Sequence, residues 1–427
     1  MIFGDVVEVT ILRLAHGGVG VGSLAEDSRV CLVRGGLPGD VLRVRITRVK
    51  TAWLKGVILE VLRPSELRVE QRCAASRSGA GCCDFGMVLP AAELSMKASI
   101  VQDQLRRIAG LESVPECAEI PLEPNVEWRT RWRLGVDDQG RAGVREDGGN
   151  DVVWREQCAQ APIGLLDGIV GEGARRFTPG AEVVVALGTD GARTITEVRQ
   201  VRRGRRRHRV ERVLEGSELV YQEVLGVEYR LPATAFWQAH EAAPATYVEL
   251  AASWLRDTLT GHPGAGIGWD LYGGVGLFIP ALLDALSASA SDTYAVHSVE
   301  TFPTAARHGA RALRESPVRF HRGDVADLVP QLPTPDAVIL DPPRKGAGAE
   351  VVAAIAAARP RVVLHVGCDP ATFARDCGSW YEHGYAMTRL AVINAFPGTH
   401  HSETFGLFEP VHLGYEGQKA ALSGNDG

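Results

Sequence analysis

Between about residue 233 and residue 415 the chain alternates short apolar runs with longer stretches of helical spacing. Seven runs read as strands: 267–271, 294–299, 318–321, 337–340, 362–366, 387–393 and 404–408. This repetition leaves few architectures, because two parallel strands can be joined only by a crossover of a dozen or more residues, ordinarily a helix. An α/β domain with a parallel sheet is predicted. The last two runs are separated by too short a connection for such a crossover, so they are expected to pair antiparallel.

The rest of the chain reads differently. Residues 1–63 hold five strand-like runs with turn signals about every ten residues, which predicts a small β-barrel. This segment carries nine Lys and Arg against six Asp and Glu. Arg43 and Arg45, with Arg48 as a third candidate, fall on one side of an alternating strand, and a basic face on a small barrel suits an RNA backbone. Residues 64–232 mix helical and strand patterns, as expected of an α+β central domain. They contain two basic clusters: Trp128-Arg129-Thr130-Arg131-Trp132-Arg133, and a run with six arginines between Arg202 and Arg209. In a chain of net charge −6, these are local electropositive patches whose expected partner is phosphate. The composition, 45% hydrophobic and 23% charged, excludes disordered and fibrous classes. No window approaches the ~18 uninterrupted apolar residues of a membrane span. The start lacks a basic segment followed by an apolar core, so a cytoplasmic protein with no membrane partner is expected. Residues 416–427 read as a flexible tail.

Two edges of the predicted sheet carry chemistry. Asp270-Leu271-Tyr272-Gly273-Gly274-Val275-Gly276 follows a strand and opens a helix. Gly274 and Gly276 match the first two glycines of a dinucleotide fingerprint, but the third position is Ile279; this and Asp270 favour S-adenosylmethionine over NAD. Glu300 ends the next strand, where a carboxylate can accept ribose hydroxyls, and Asp324 follows the third, within reach of an adenine amine. Asp341-Pro342-Pro343-Arg344 closes the fourth strand in a rigid loop. Cys368 closes the fifth, just before a helix start at Pro370, a position expected to lower its thiol pKa. Glu403 lies just before the final strand and is brought towards the same edge. Separately, Cys73, Cys82, Cys83 and Cys158 form a set of four thiols suited to an iron–sulfur cluster or to zinc. Cys31, Cys117 and Cys377 read as packing residues.

Residues 1–63 resemble a TRAM domain, an OB-like RNA-binding module, in Leu14-Ala15-His16-Gly17-Gly18-Val19-Gly20, Val33-Arg34-Gly35-Gly36-Leu37-Pro38-Gly39-Asp40 and Val61-Leu62-Arg63-Pro64-Ser65. The C-terminal half is similar to the RNA 5-methyluridine methyltransferases of the TrmA/RumA type. The similarity runs in order through Phe236-Trp237-Gln238, the Asp270–Gly276 loop, Asp341-Pro342-Pro343-Arg344, Gly367-Cys368-Asp369-Pro370-Ala371-Thr372 and His401-Ser402-Glu403-Thr404. The resemblance implies a Rossmann-like class I methyltransferase domain over 233–415, behind a barrel over 1–63 and a central domain over 64–232. It implies Cys368 as nucleophile and Glu403 as base, with Gln238, Tyr272, Gly274, Gly276, Glu300, Asp324 and Asp341 about the cofactor and Arg344 near the developing enolate; Arg129 and Arg131 of the first basic cluster are expected about the RNA. It also implies a [4Fe–4S] cluster on Cys73, Cys82, Cys83 and Cys158, with zinc second. Here the middle pair of cysteines is adjacent, so Cys82 acts from a shifted place. The RNA expected is ribosomal, with tRNA as the other option; no obligate protein partner is implied, and a monomer is expected. Two other readings stand: a methyltransferase for another substrate such as an amine, and a non-catalytic RNA binder on the same scaffold.

Overall fold

The computed structural model describes residues 2–25, 27–204, 206–289, 291 and 293–411; the expected tail at 416–427 lies outside the described residues. Where the N-terminal sequence alternates, it forms strands: β1 (Val6–Ala15), β2 (Val19–Leu24), β3 (Asp27–Arg34), β4 (Val41–Val49) and β5 (Trp53–Arg63). They close into a barrel in the order β1-β2-β3-β5-β4 around Val9, Ile11, Val33, Leu42, Val44, Ile46 and Leu54. On β4 the outward positions are Arg43 and Arg45, and a register shift between Ile46 and Arg48 inserts one residue. That bulge turns Arg48 outward as well, and leaves Val49 against the core. The turn before β4 is closed by Asp40, which is fully buried. It accepts the N–H groups of Leu37 (2.7 Å) and Ser65 (2.9 Å) and pairs with Arg68 (2.5 Å).

Two helices follow, α1 (Ala74–Arg77) and α2 (Pro90–Arg107), then a short strand β6 (Cys117–Ile120). The central region builds a six-stranded sheet from β7 (Arg131–Val136), β8 (Ala142–Arg145), β9 (Val152–Val153), β10 (Glu182–Leu187), β11 (Arg193–Arg203) and β12 (Arg206–Glu215), in the order β12-β11-β10-β7-β8-β9. A hairpin, β13 (Val220–Val224) with β14 (Val227–Leu231), completes it.

The predicted strand–helix alternation then appears: α3 (Ala243–Leu259), β15 (Ile267–Leu271), α4 (Ile279–Ser287), β16 (Ala295–Glu300), α5 (Pro303–Ala312), β17 (Val318–Arg322), α6 (Val325–Leu328), β18 (Ala337–Leu340), α7 (Ala349–Ala357), β19 (Val362–Gly367), α8 (Pro370–Glu382), β20 (Tyr385–Ile393) and β21 (Glu403–Pro410). The sheet order is β17-β16-β15-β18-β19-β21-β20-β6. The first five of these strands are parallel. The last two strands of the chain are neighbours, and β21 enters between β20 and β19, antiparallel to β19. The fold class is thus the expected one: a doubly wound α/β domain, a closed N-terminal barrel and a mixed middle.

The chain divides into two compact units. One takes the chain up to Ile100, Glu119–Pro244 and Ile393–Ser402; the other takes Val101–Ala118, Ala245–Val392 and the stretch from Glu403.

Candidate active site

In the second unit the parallel strand order reverses direction between β15 and β18, and a crevice at the carboxyl ends of such strands is where α/β sheets take ligands. The loop after β15 fits that use. Tyr272, Gly274 and Gly276 adopt φ of 59°, 58° and 82°. A Cβ on Gly273 would lie 2.1 Å from Asp270 Oδ2, so only glycine fits there. A Cβ on Gly274 would meet nothing within 4 Å, so its backbone borders open space. The Gly274 N–H donates to Glu300 Oε2 (2.9 Å), and the Phe302 N–H donates to Glu300 Oε1 (2.5 Å). A carboxylate so held keeps further lone pairs for hydroxyl donors. Asp324 is exposed and caps α6, accepting the Ala326 N–H at 3.0 Å. Asp270 and Asp341, at the ends of neighbouring strands, are both pushed up to about 7: each chiefly by burial, Asp341 further by Asp270 and Asp270 by Glu300, although Ser298 donates to Asp270. Gln238 is buried and belongs to the other unit, in the segment between β14 and α3.

The antiparallel entry of β21 decides the rest of the site. Gly367 on β19 pairs with Thr404 on β21, so Cys368, one residue past the first, lies beside Glu403, one residue before the second. Glu403 is buried, and burial together with Asp341 raises its carboxyl well above the ordinary range, with Arg344 and Tyr247 pulling the other way. The Asp341–Arg344 loop is clamped by α8. The Thr372 hydroxyl donates to the Arg344 carbonyl (3.0 Å), the Arg375 guanidinium to the Lys345 carbonyl (2.8 Å), and buried Asp376 accepts the N–H groups of Ala347 (2.7 Å) and Gly348 (3.2 Å).

Cys368 itself departs from expectation. Its thiol is pushed up to about 12, first by burial and then by Glu403 and Asp341, with Arg344 opposing. The helix that was to lower it is capped by Asp369, whose carboxylate accepts the N–H groups of Ala371 (3.1 Å) and Thr372 (3.0 Å). A negative cap consumes the positive end of the helix before it reaches the sulfur. The resting thiol is therefore protonated, with the Asp341 carboxyl at hand to take the proton when it reacts.

Two residues at this site carry no sequence signal. Asp376 sits in the middle of a helix, and Tyr247 in α3 reads as one more core aromatic; both are legible only after folding.

The first unit gathers Cys73, Cys82, Cys83 and Cys158, all buried, with the four sulfurs within 4.8 Å of one another. Cys73 Sγ lies 3.7 Å from those of Cys82 and Cys158, and Cys83 Sγ 3.5 Å from that of Cys158. The shifted Cys82 is thus one of the set. Four soft donors in one buried spot fit a thiophilic metal. A tetrahedral ion with bonds of ~2.3 Å sets its sulfurs ~3.8 Å apart, close to this spacing. A cubane binds at wider-set corners and requires the sulfurs to open outward. Cys31 and Cys377 are buried, whereas Cys117 is half-buried.

The Trp128–Arg133 cluster is not an exposed RNA face. Trp128, Trp132 and Arg131 are buried, and Arg131 Nη1 donates to the carbonyls of Ala233 and Ala235, both at 2.9 Å. Arg129 lies over the Trp132 ring (4.5 Å) and bonds Gln160 (3.2 Å). Burial holds its pKa below the ordinary guanidinium value, with the nearby Cys158, Cys82 and Cys83 pulling the other way. Aromatic–arginine alternation reads alike in a core strand and on an RNA platform; burial separates them. The second cluster is different. It forms the end of the β11–β12 hairpin, where exposed Arg202 and Arg207 stand directly opposite each other. Like charges in that position repel, so the hairpin gains from an anion.

The TRAM domain family matches residues 3–59. An uncharacterized RNA methyltransferase of Corynebacterium glutamicum is 48% identical over 410 residues, covering 96% of this chain and 98% of its own. One from Streptomyces avermitilis is 32% identical, covering 96% of this chain and 100% of its own. Among solved structures, the Pyrococcus abyssi tRNA (uracil-54, C5)-methyltransferase in complex with S-adenosyl-L-homocysteine aligns with a TM-score of 0.67 over 94% of this chain and 100% of its own, at 19% identity, a likeness of fold. With full-length kinship at this level, the chain belongs to the RNA methyltransferase family and carries a TRAM domain at its N-terminus.

Proposed function

We propose that the protein transfers a methyl group from S-adenosylmethionine to C5 of a uridine in RNA through a covalent bond between Cys368 and C6 of the base. The observation that carries this reading is the β19–β21 register, which sets a thiol beside a buried carboxyl. Uracil C5 is too weak a nucleophile to take a methyl group unaided. Cys368 gives its proton to the Asp341 carboxylate, which leaves Glu403 free for the later step, and its sulfur then adds to C6, which sends the electron pair to C5 and O4. C5 takes the methyl as the sulfonium bond breaks. Glu403 then removes the C5 proton, and the S–C6 bond breaks to return the thiolate. Arg344 is suited to the charge that develops at the enolate, and Asp341 to orienting the base. Tyr272, Gly274, Gly276, Glu300 and Asp324 are assigned to the cofactor. The uridine must leave its stack to reach such a pocket.

Ribosomal RNA is the substrate proposed first. Transfer RNA is the second reading, because the solved relative named above acts on tRNA. The barrel over 1–63 and the hairpin arginines of the 64–232 domain are assigned to the RNA backbone, and the 233–415 domain to chemistry. For the four cysteines, a [4Fe–4S] cluster follows from the resemblance; zinc is the second reading, favoured by the sulfur spacing.

The test uses ribosomal and transfer RNA transcripts made with 5-fluorouridine, which lacks the proton that the last step removes. The parent enzyme forms an adduct that survives denaturing gels, and Cys368→Ala forms none while still binding S-adenosylmethionine. Parent-like methylation by Cys368→Ala would sink the reading.

A further inference from the structure

Tyr247 lies in α3 and is fully buried. Its ring packs against Phe405, with centroids 5.2 Å apart. Phe405 and Glu403 are two apart on β21, so their side chains leave the same face of the strand. The phenol therefore points along that face towards the Glu403 carboxyl, and it also senses Asp341 and Cys368. Yet among the described residues its hydroxyl has no hydrogen-bond partner of ordinary geometry. Buried polar groups are nearly always satisfied, and an orphan calls for an explanation. A phenylalanine would fill the same space without stranding a donor. The hydroxyl is thus placed to act on the Glu403 carboxyl without closing an ordinary hydrogen bond in the resting structure.

We infer that Tyr247 is a positioning residue for the Glu403 base, donating a hydrogen bond to the carboxylate when it carries the charge that removes the C5 proton. This rests on the covalent uracil-C5 reading above. Four groups face Glu403 or share its pocket: Asp341 and Arg344 from the loop after β18, Cys368 from the end of β19, and Tyr247 from α3. Burial and Asp341 favour the neutral acid, while Arg344 and Tyr247 favour the charged base. The Tyr247 phenol is itself held well above its ordinary value, chiefly by burial, so it keeps its proton and remains a donor. A donor aimed at the ionised form lowers a carboxyl's pKa. Removing it leaves less base at neutral pH and moves the proton-abstraction step to higher pH.

The experiment separates this from the first half of the reaction. With the full-length enzyme, adduct formation on 5-fluorouridine RNA reads nucleophilic attack and methyl transfer alone. Tritium release from RNA carrying 5-tritiated uridine reads proton removal as well. For Tyr247→Phe, adduct formation stays within about twofold of the parent. Single-turnover tritium release at neutral pH slows about tenfold, and its pH midpoint rises by about one unit, the shift that corresponds to tenfold. Phe405→Leu disturbs the same packing but spares the donor, and leaves the midpoint where it was. An unmoved midpoint in Tyr247→Phe overturns the inference, and so does an equal shift in Phe405→Leu. A parent enzyme that forms no adduct with either RNA overturns the covalent reading instead, and this inference falls with it.

Discussion

Glu403 works as a base only once it has lost its proton, and its surroundings resist that loss. A carboxyl whose pKa is raised stays protonated below the raised value, so the basic form grows with pH; proton removal from C5 therefore slows as pH falls through that raised value. Rapid-quench measurement across the neutral range should show methyl transfer preceding, and outpacing, release of the product at low pH. Replacing Glu403 by Gln keeps the shape and removes the base. The methylated adduct should then accumulate on denaturing gels, with its resolution slowed at least about 100-fold, and should be absent when Cys368 is also Ala. Turnover at the parent rate would move the base to another group. The positions of Cys368 and Glu403 were legible because strand ends and their flanking motifs can be read from apolar runs. The charge state of Cys368 was not, because it depends on how the next residue caps the helix and on carboxyls that arrive from other strands. Arg131 and Tyr247 were hard to read for opposite reasons: the first has an exposed-looking pattern that folding buries, and the second has no pattern at all.

Among the elements, β4 and the β11–β12 hairpin carry the basic faces. On β4 a bulge aligns Arg48 with Arg43 and Arg45, a geometry that strict alternation cannot supply. On the hairpin, Arg202 opposes Arg207. If both bind phosphate, replacing the two by Ala weakens RNA binding alike across sequences. It also flattens the slope of log affinity against log salt by about 0.7–0.9 for each phosphate no longer neutralised. Titration of a single transcript at several salt concentrations decides this; an unchanged slope would return the hairpin to solvent. Elsewhere the chain is pinned by buried ions. The Lys97 ammonium donates to Glu93 (2.7 Å), Asn394 (2.7 Å) and the Phe396 carbonyl (3.1 Å), and Glu93 accepts the Gly398 N–H (2.9 Å). His400 pairs with Asp84, next to Cys83. The long-range pairs among these could not be read from the sequence, since each partner lies some three hundred residues from the other.

Over the whole molecule, no described helix is long and apolar enough to cross a membrane. The four-cysteine centre ties residues from Cys73 to Cys158, so its metal should matter to stability as well as composition. Anaerobically purified protein should contain about four irons if the centre is a cubane, or about one zinc if it is a single ion. Stripping the metal should lower the unfolding temperature by on the order of 10 °C. Protein without either metal, and indifferent to chelators, would make the thiols plain packing. The interleaving of the two units has a further consequence. The first unit is finished by Ile393–Ser402, the stretch that supplies Asn394, Phe396, Gly398 and His400 to the pairings just described, and the second needs the strand that begins at Glu403. During synthesis, then, the barrel at the start can close early, but neither unit is complete until late: Lys97 and Asp84 wait for partners made some three hundred residues later, and a nascent chain halted before Ser402 lacks segments that belong to both units.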